Sequence, residues 1–246
     1  EKFRLGLFDA ARYVDADAAD AIVGSAEARA AGHAAQVAAL TLLANDGILP
    51  LAGQPKLYLE GMEPAEVAGW AHVVATPEEA DAIMVRIDAP FEQRGVPGEM
   101  EFFFRAGSLD FHDDQLAHLR ALAATAPLIV DVYLDRPAIL APVTDIASAI
   151  IGNFGASDAA LAEVVFGAAQ PQGRLPFEIP SSMDAVRASQ SDVPNDTVNP
   201  TYPFGFGLSF TDFVPAVRPD PASTTVAVVA SENRFDLAVT PLRVVL

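Results

Sequence analysis

The sequence predicts an α/β fold, a layered α/β sandwich built on a mostly parallel sheet. Three observations carry this expectation. Short apolar runs of strand length alternate with helical patterns between Lys56 and Phe166, the order that right-handed β–α–β crossovers require. One run, Leu128–Leu134 (L-I-V-D-V-Y-L), is almost continuously apolar, as in a strand covered on both faces. The chain has 246 residues, 51% hydrophobic and 20% charged, so a packed core is expected in place of disorder.

Each element has its own signal. Residues 1–16 read as an irregular lead-in. Residues 17–45 are rich in alanine, with Val37, Leu40, Leu43 and Ala44 at helical spacing, which predicts one long helix. Asn45-Asp46-Gly47 closes it as a turn or C-cap. Lys56–Glu60 is the first strand, Glu63–Ala71 a helix, His72–Ala75 a short strand and Pro77–Ala80 a single helical turn. Ala82–Ile87 is a strand, and Asp113–Ala124 is a helix with Leu116, Leu119 and Ala123 on one face. Leu128–Leu134 and Ala147–Ile151 are further strands. Ser157–Phe166 is a helix with Ser157 as N-cap and Gly167 at the C-cap.

From Pro171 to Phe210 the pattern changes. P-Q-G-R-L-P-F-E-I-P and Y-P-F-G-F-G-L-S-F flank a polar connection, Ser181–Asn199, without helical or strand periodicity. Prolines fix φ and withhold donors here, while glycines permit close backbone approach. Such a segment builds no core alone and is expected to wrap a finished domain. The tail from Thr224 alternates like strands (T-T-V-A-V-V-A, F-D-L-A-V). An added edge hairpin and the start of a truncated module are both open readings. The organisation is thus a linker at 1–16, an α/β domain at 17–211 and a short irregular or β tail at 212–246.

Composition excludes several functions. A formal net charge of -18 argues against nucleic-acid and anionic-membrane partners, because phosphate recognition needs a cationic footprint. No apolar run reaches the roughly 18 residues of a membrane span. The absence of cysteine removes disulfides, thiolate metal sites and a cysteine nucleophile. His112 and His118 are six apart, not the i, i+4 pair of a helical zinc site, so no metal is expected. Gly205-Phe-Gly207 neither follows a strand nor opens a helix; no P-loop and no G-x-S-x-G elbow occurs, so no cofactor is expected. The opening E-K-F-R-L-G-L-F-D lacks a signal-peptide pattern and an initiator Met, as though cut from a longer chain, and the compartment stays open.

Ligands of open α/β sheets gather beyond the carboxyl ends of the strands. The segment from Asp88 to Asp110, after strand Ala82–Ile87, is long and carries Glu92, Arg94, Glu99, Glu101 and Arg105, the parts needed for acid–base work and for holding polar ligands. The bland reading is a solvated acidic loop with surface ion pairs. Asp135-Arg136, after the next strand, reads as a strand-end brace, and Asp131 within the apolar run as a hydrogen-bonded structural aspartate.

Five segments together resemble a known family. They are L-G-L-F-D-A-A-R-Y-V-D (Leu5–Asp15), L-T-L-L-A-N-D-G-I-L-P-L (Leu40–Leu51), L-D-R-P-A (Leu134–Ala138), L-A-E-V-V-F-G-A-A-Q-P-Q-G-R-L-P-F (Leu161–Phe177) and Y-P-F-G-F-G-L-S-F (Tyr202–Phe210). In this order they resemble the C-terminal domain of family 3 glycoside hydrolases, which include β-glucosidases, β-xylosidases and β-N-acetylhexosaminidases. The resemblance implies a six-stranded α/β sandwich docked on an N-terminal (β/α)₈ barrel of the same enzyme, with a carbohydrate substrate at the junction. It implies a retaining, exo-acting β-glycosidase whose nucleophilic aspartate lies on the barrel, outside this chain. In many members a glutamate of the second domain is the general acid/base, before an "LxLxxxQ" segment. Leu109-Asp-Phe111-His-Asp-Asp-Gln115 takes that place, so the candidates are Glu92 first, Glu101 second and Glu99 third, with Arg94 and Arg105 as substrate-binding candidates. Two alternatives accompany this reading: an acid/base on the barrel, and a non-catalytic carbohydrate-binding or scaffolding domain that has lost it.

Overall fold

A computed structural model describes residues 1–9 and 15–210. The described residues fall into two compact units, divided between Ala34 and Ala35. The first holds helix α1 (Ala16–Ile22) and most of α2 (Ala26–Ala39). Asp15 caps α1, accepting the Ala18 N–H at 3.0 Å, and Ser25 accepts from Ala28 at the start of α2. These caps satisfy amides that a helix start leaves without partners.

The second unit is the sandwich. Strand β1 (Thr41–Asn45) leads to β2 (Lys56–Glu60), α3 (Pro64–Val67) and β3 (His72–Val73). Next come β4 (Ala82–Asp88), α4 (Asp113–Ala123), β5 (Leu128–Tyr133) and α5 (Ala141–Thr144). Strand β6 (Ala149–Asn153), α6 (Asp158–Val165) and α7 (Met183–Ala188) complete the order. The six strands form one sheet in the order β1-β6-β5-β4-β2-β3. All neighbours are parallel except β1, which runs antiparallel to β6 with Thr41 opposite Gly152. The expected mostly parallel six-stranded sandwich is the fold found.

Alternation along the strands builds two cores. Leu42, Leu57, Met84, Ile129 and Ile151 face one layer, with Val37 of α2, Val67 of α3 and Leu161, Val164 and Val165 of α6. Leu43, Ile83, Val85, Val130, Val132 and Ile150 face the other, with Leu116, Leu119 and Leu122 of α4 and Val143 of α5. Each fully buried aliphatic side chain stabilises the fold by about 1.5–3 kcal/mol. Ser157 caps α6 by accepting the Ala160 N–H, as the sequence predicts.

Two expectations are corrected. The single helix over 17–45 is two helices followed by a strand. Leu40, Leu43 and Ala44 fit a helical spacing, yet Leu42 and Leu43 bury on opposite sides of the sheet, the period-two signature of a strand. Pairing with β6 overrides the local alanine-rich propensity. The Ser181–Asn199 connection also contains a helix, α7, capped by Ser182 through the Ala185 N–H. It buries no residue, which is why no periodicity marked it. The Thr224–Leu246 pattern and the 212–246 tail lie outside the described residues.

The Pro171–Phe210 segment runs over the sheet as two paired limbs. Leu175 N–H donates to Phe206, Gly205 N–H to Leu175, and Ile179 N–H to Tyr202. The limbs reach β1 through Gly173 N–H on the Leu40 carbonyl and Leu208 N–H on the Leu42 carbonyl, and they bury Leu175, Ile179 and Tyr202 in the second core. Gly173 is required by close approach. A Cβ there would lie 2.3 Å from Thr41 Oγ1 and 2.4 Å from the Ala39 carbonyl oxygen. Gly173→Ala is therefore expected to cost roughly 2–3 kcal/mol through overpacking; an unchanged urea midpoint would refute the tight seat.

Candidate functional site

Parallel pairing sets Asp88 at the end of β4 opposite Tyr133 at the end of β5. The two strands therefore open at the same edge of the sheet, where loops can converge on a ligand. The loop after β4 leaves this edge and returns to α4 through Leu109 and Phe111, both buried. Its neck is a short antiparallel bridge between Glu92 and Ala106, with Glu92 N–H donating to the Ala106 carbonyl at 2.8 Å.

Side chains lock the neck. Arg136, just past β5, donates Nη1 to the Ala106 carbonyl at 2.7 Å and Nη2 to the Gly107 carbonyl at 2.9 Å. The Glu92 carboxylate folds back over Gly107, accepts the Ser108 N–H on Oε1 at 3.1 Å and meets Arg94 Nη2 with Oε2 at 3.1 Å. Gly107 has φ of 84°, a left-handed conformation that favours glycine. A Cβ at this position would fall 2.2 Å from Glu92 Cδ. The Ser108 amide, with Arg94 beside it, holds the Glu92 carboxyl below the usual glutamate range, while burial lowers the Arg136 guanidinium from its ordinary value.

A second arginine ties the strand ends together. Arg105 Nε pairs with Asp135 Oδ2 at 2.9 Å, and its Nη1 lies 4.0 Å from Asp88 Oδ2. The same guanidinium sits 4.5 Å over the Phe91 ring and 6.0 Å from that of Tyr133, a cation–π geometry. Leu109 N–H donates to the Met183 sulfur at 3.3 Å, so α7 holds the exit of the loop.

Between these anchors lies a lobe with a 3-10 turn at Met100–Phe103. Glu99 Oε2 accepts the Val96 N–H at 3.1 Å, and Gln93 Nε2 donates to the Phe102 carbonyl at 3.1 Å. The Glu101 carbonyl accepts the Phe104 N–H at 3.2 Å, and its carboxylate makes no hydrogen bond or ion pair with any described residue. Met100, Phe103 and Phe104 are exposed.

All five sequence candidates thus occupy one loop. Glu92 and Arg94 meet, and Glu99 and Glu101 pack around Gly95. Arg105 turns instead to Asp88 and Asp135. Sequence reading missed Phe91, Asp88 as a partner for Arg105, and the reach of Arg136 into the loop; an arginine just after a buried strand was their one signal. Among the described residues no cluster of three His, Cys, Asp or Glu side chains is placed to hold a metal ion, and no helix is long and apolar enough to cross a membrane.

A buried network underlies this edge. Asp131 is fully buried; Arg86 Nε donates to its Oδ2 at 2.6 Å and Asn153 Nδ2 at 3.1 Å. Arg86 also pairs with Asp158 at the start of α6, and Asp158 accepts the Glu63 N–H at 2.7 Å. Burial pushes the Asp131 carboxyl up, opposed by Arg86 and the hydrogen bond from Asn153.

Comparisons place the chain among known proteins. The profile described as "Glycosyl hydrolase family 3 C-terminal domain" matches residues 64–210. "Probable beta-glucosidase C" of Aspergillus flavus is 42% identical over 215 residues, covering 85% of this chain and 33% of that protein. "Periplasmic beta-glucosidase/beta-xylosidase" of Dickeya chrysanthemi is 40% identical over 216 residues, covering 85% and 32%. The chain therefore spans about a third of the length of the curated relatives it matches. Among solved structures, the β-glucosidase of Listeria innocua in complex with isofagomine matches with a TM-score of 0.63 at 19% identity, over 85% of this chain and 38% of that one. A β-glucosidase from Erythrobacter marinus matches with a TM-score of 0.67 at 19% identity, over 85% and 38%; at such identity these likenesses establish the fold. On the profile match across its α/β sandwich, this chain belongs to the glycosyl hydrolase family 3 C-terminal domain family.

Proposed function

We propose that this chain is the C-terminal domain of a retaining, exo-acting β-glycosidase with β-glucosidase-like specificity. It forms one wall of the sugar site against an N-terminal barrel of the same enzyme. The loop from Asp88 to Leu109 supplies the general acid/base from among Glu92, Glu101 and Glu99. Arg94 and Arg105 serve the sugar or the carboxylates around it. The observation that carries this reading is the placement of all five residues on one anchored loop beyond the carboxyl ends of β4 and β5, in a chain whose relatives are named β-glucosidases.

The chemistry needs two carboxyl groups about 5–5.5 Å apart. An aspartate of the barrel attacks C1, and the loop glutamic acid gives its proton to the glycosidic oxygen as the C1–O bond breaks. Water then attacks C1 and passes a proton to the same glutamate, releasing the aspartate and the sugar. On this scheme residues 1–246 alone carry only half of the machinery. The isolated chain is expected to release no nitrophenol from an aryl β-glucoside that the complete enzyme cleaves. Measurable turnover by the isolated chain would sink the scheme.

A further inference from the structure

The loop gives its three glutamates different work. We propose that Glu92 and Arg136 form a clasp that positions the lobe between residues 93 and 105, and that the carboxyl transferring the proton is that of Glu101. This rests on the reading of the loop as the carrier of the acid/base.

The clasp follows from connectivity. Arg136 is mounted directly after β5, a buried strand, and its two donors take the consecutive carbonyls of Ala106 and Gly107. Glu92 closes the same turn from the other limb, through its N–H on the Ala106 carbonyl and its carboxylate on the Ser108 N–H. The glycine at 107 leaves room for that carboxylate and for no side chain. Together these bonds tie both ends of the lobe to the rigid sheet, which is how a loop keeps a reacting group in register.

A proton donor needs the opposite of what surrounds Glu92. Two donors favour its ionised form, and the carboxylate is turned back onto its own loop. Glu99 is engaged too, closing the turn at Val96. Glu101 remains, on the exposed lobe, with its carboxyl uncommitted to any described residue.

Chemistry separates the roles, because glutamine preserves an acceptor and abolishes a proton donor. In the complete enzyme, Glu92→Gln still accepts the Ser108 N–H, so trypsin is expected to cut its loop no faster than the parent's, and azide is expected to restore nothing. Glu92→Ala and Arg136→Lys loosen the neck; lysine cannot take both carbonyls in one plane. Trypsin should then cut after Arg94 and Arg105 at least tenfold faster than in the parent. Both variants should lose about tenfold or more in kcat on an alkyl β-glucoside, less on a dinitrophenyl β-glucoside, and regain nothing with azide. Glu101→Gln should lose about a hundredfold on the alkyl substrate and recover with azide on the activated one. Rescue of Glu92→Gln by azide overturns the clasp while leaving the loop as acid/base carrier. Rescue of none of the three glutamine variants defeats the acid/base reading and the role of Glu101; the nicking rates then decide the clasp alone. If Arg136→Lys does not accumulate as folded enzyme, the contrast between Glu92→Gln and Glu92→Ala decides it, and equal nicking of those two overturns it.

Discussion

Asp131→Ala is expected to lower the unfolding free energy by about 3–5 kcal/mol, the usual cost of stranding a partner of a buried ion pair. Asp131 is fully buried at mid-strand of β5, and Arg86 reaches it from β4 at 2.6 Å. Alanine takes away the charge beside Nε and leaves a cavity between two strands and α6. Asp158 keeps its own contact with Arg86, so the arginine is not wholly abandoned, which argues for the lower half of the range. The readout is urea unfolding, with the midpoint falling by roughly 1–3 M. A double change, Arg86→Met with Asp131→Leu, replaces charge by apolar volume and is expected to cost less than Asp131→Ala alone. A loss below about 1 kcal/mol for Asp131→Ala would show that the network does not organise this edge of the sheet.

That network shows what a sequence discloses and what it withholds. An aspartate inside L-I-V-D-V-Y-L must be hydrogen-bonded, because an unpaired buried carboxylate is too costly. Its partners, however, come from β4 and β6, 45 and 22 residues away in the chain. Period and propensity carry no information about such distances. The central strands β4, β5 and β6 were legible because burial on both faces leaves a continuous apolar run. Strand β1 was not, since T-L-L-A-N continues an alanine-rich stretch and becomes a strand only through its antiparallel neighbour. Helix α7 escaped because it is six residues long and buries none of them, too short a stretch to display a period.

The candidate loop divides in the same way. Its residue types and its place after β4 could be read directly. The pairing could not: Arg136 reaches carbonyls 30 and 29 residues upstream, and Arg105 binds the ends of two different strands. Glu92 drew attention because it follows β4 closely and stands near Arg94. The same closeness puts it at the neck of the loop, where hydrogen bonds engage it. The recognisable Pro171–Phe210 segment carries none of these residues. It touches the loop through Met183, which receives the Leu109 N–H.

In the complete enzyme, removing the proton-transferring glutamate is expected to have the largest functional effect, a loss of about 10²–10⁴ in turnover of a poor-leaving-group β-glucoside. This corresponds to roughly 3–5.5 kcal/mol of transition-state stabilisation. The size depends on the leaving group, because an alkoxide departs only with a proton whereas a dinitrophenolate needs none. Glu101→Gln should therefore separate the two substrates by at least tenfold more than the parent does. It should also flatten the alkaline limb of kcat/KM against pH, because that limb reports loss of the acid's proton. The acidic limb, which reports the nucleophile gaining one, should persist. Azide can attack the glycosyl intermediate without general-base help, so it should speed release of the sugar in Glu101→Gln and leave the parent unchanged. A Glu101→Gln enzyme with both limbs intact and equal losses on both substrates would show that Glu101 is not the group that moves the proton.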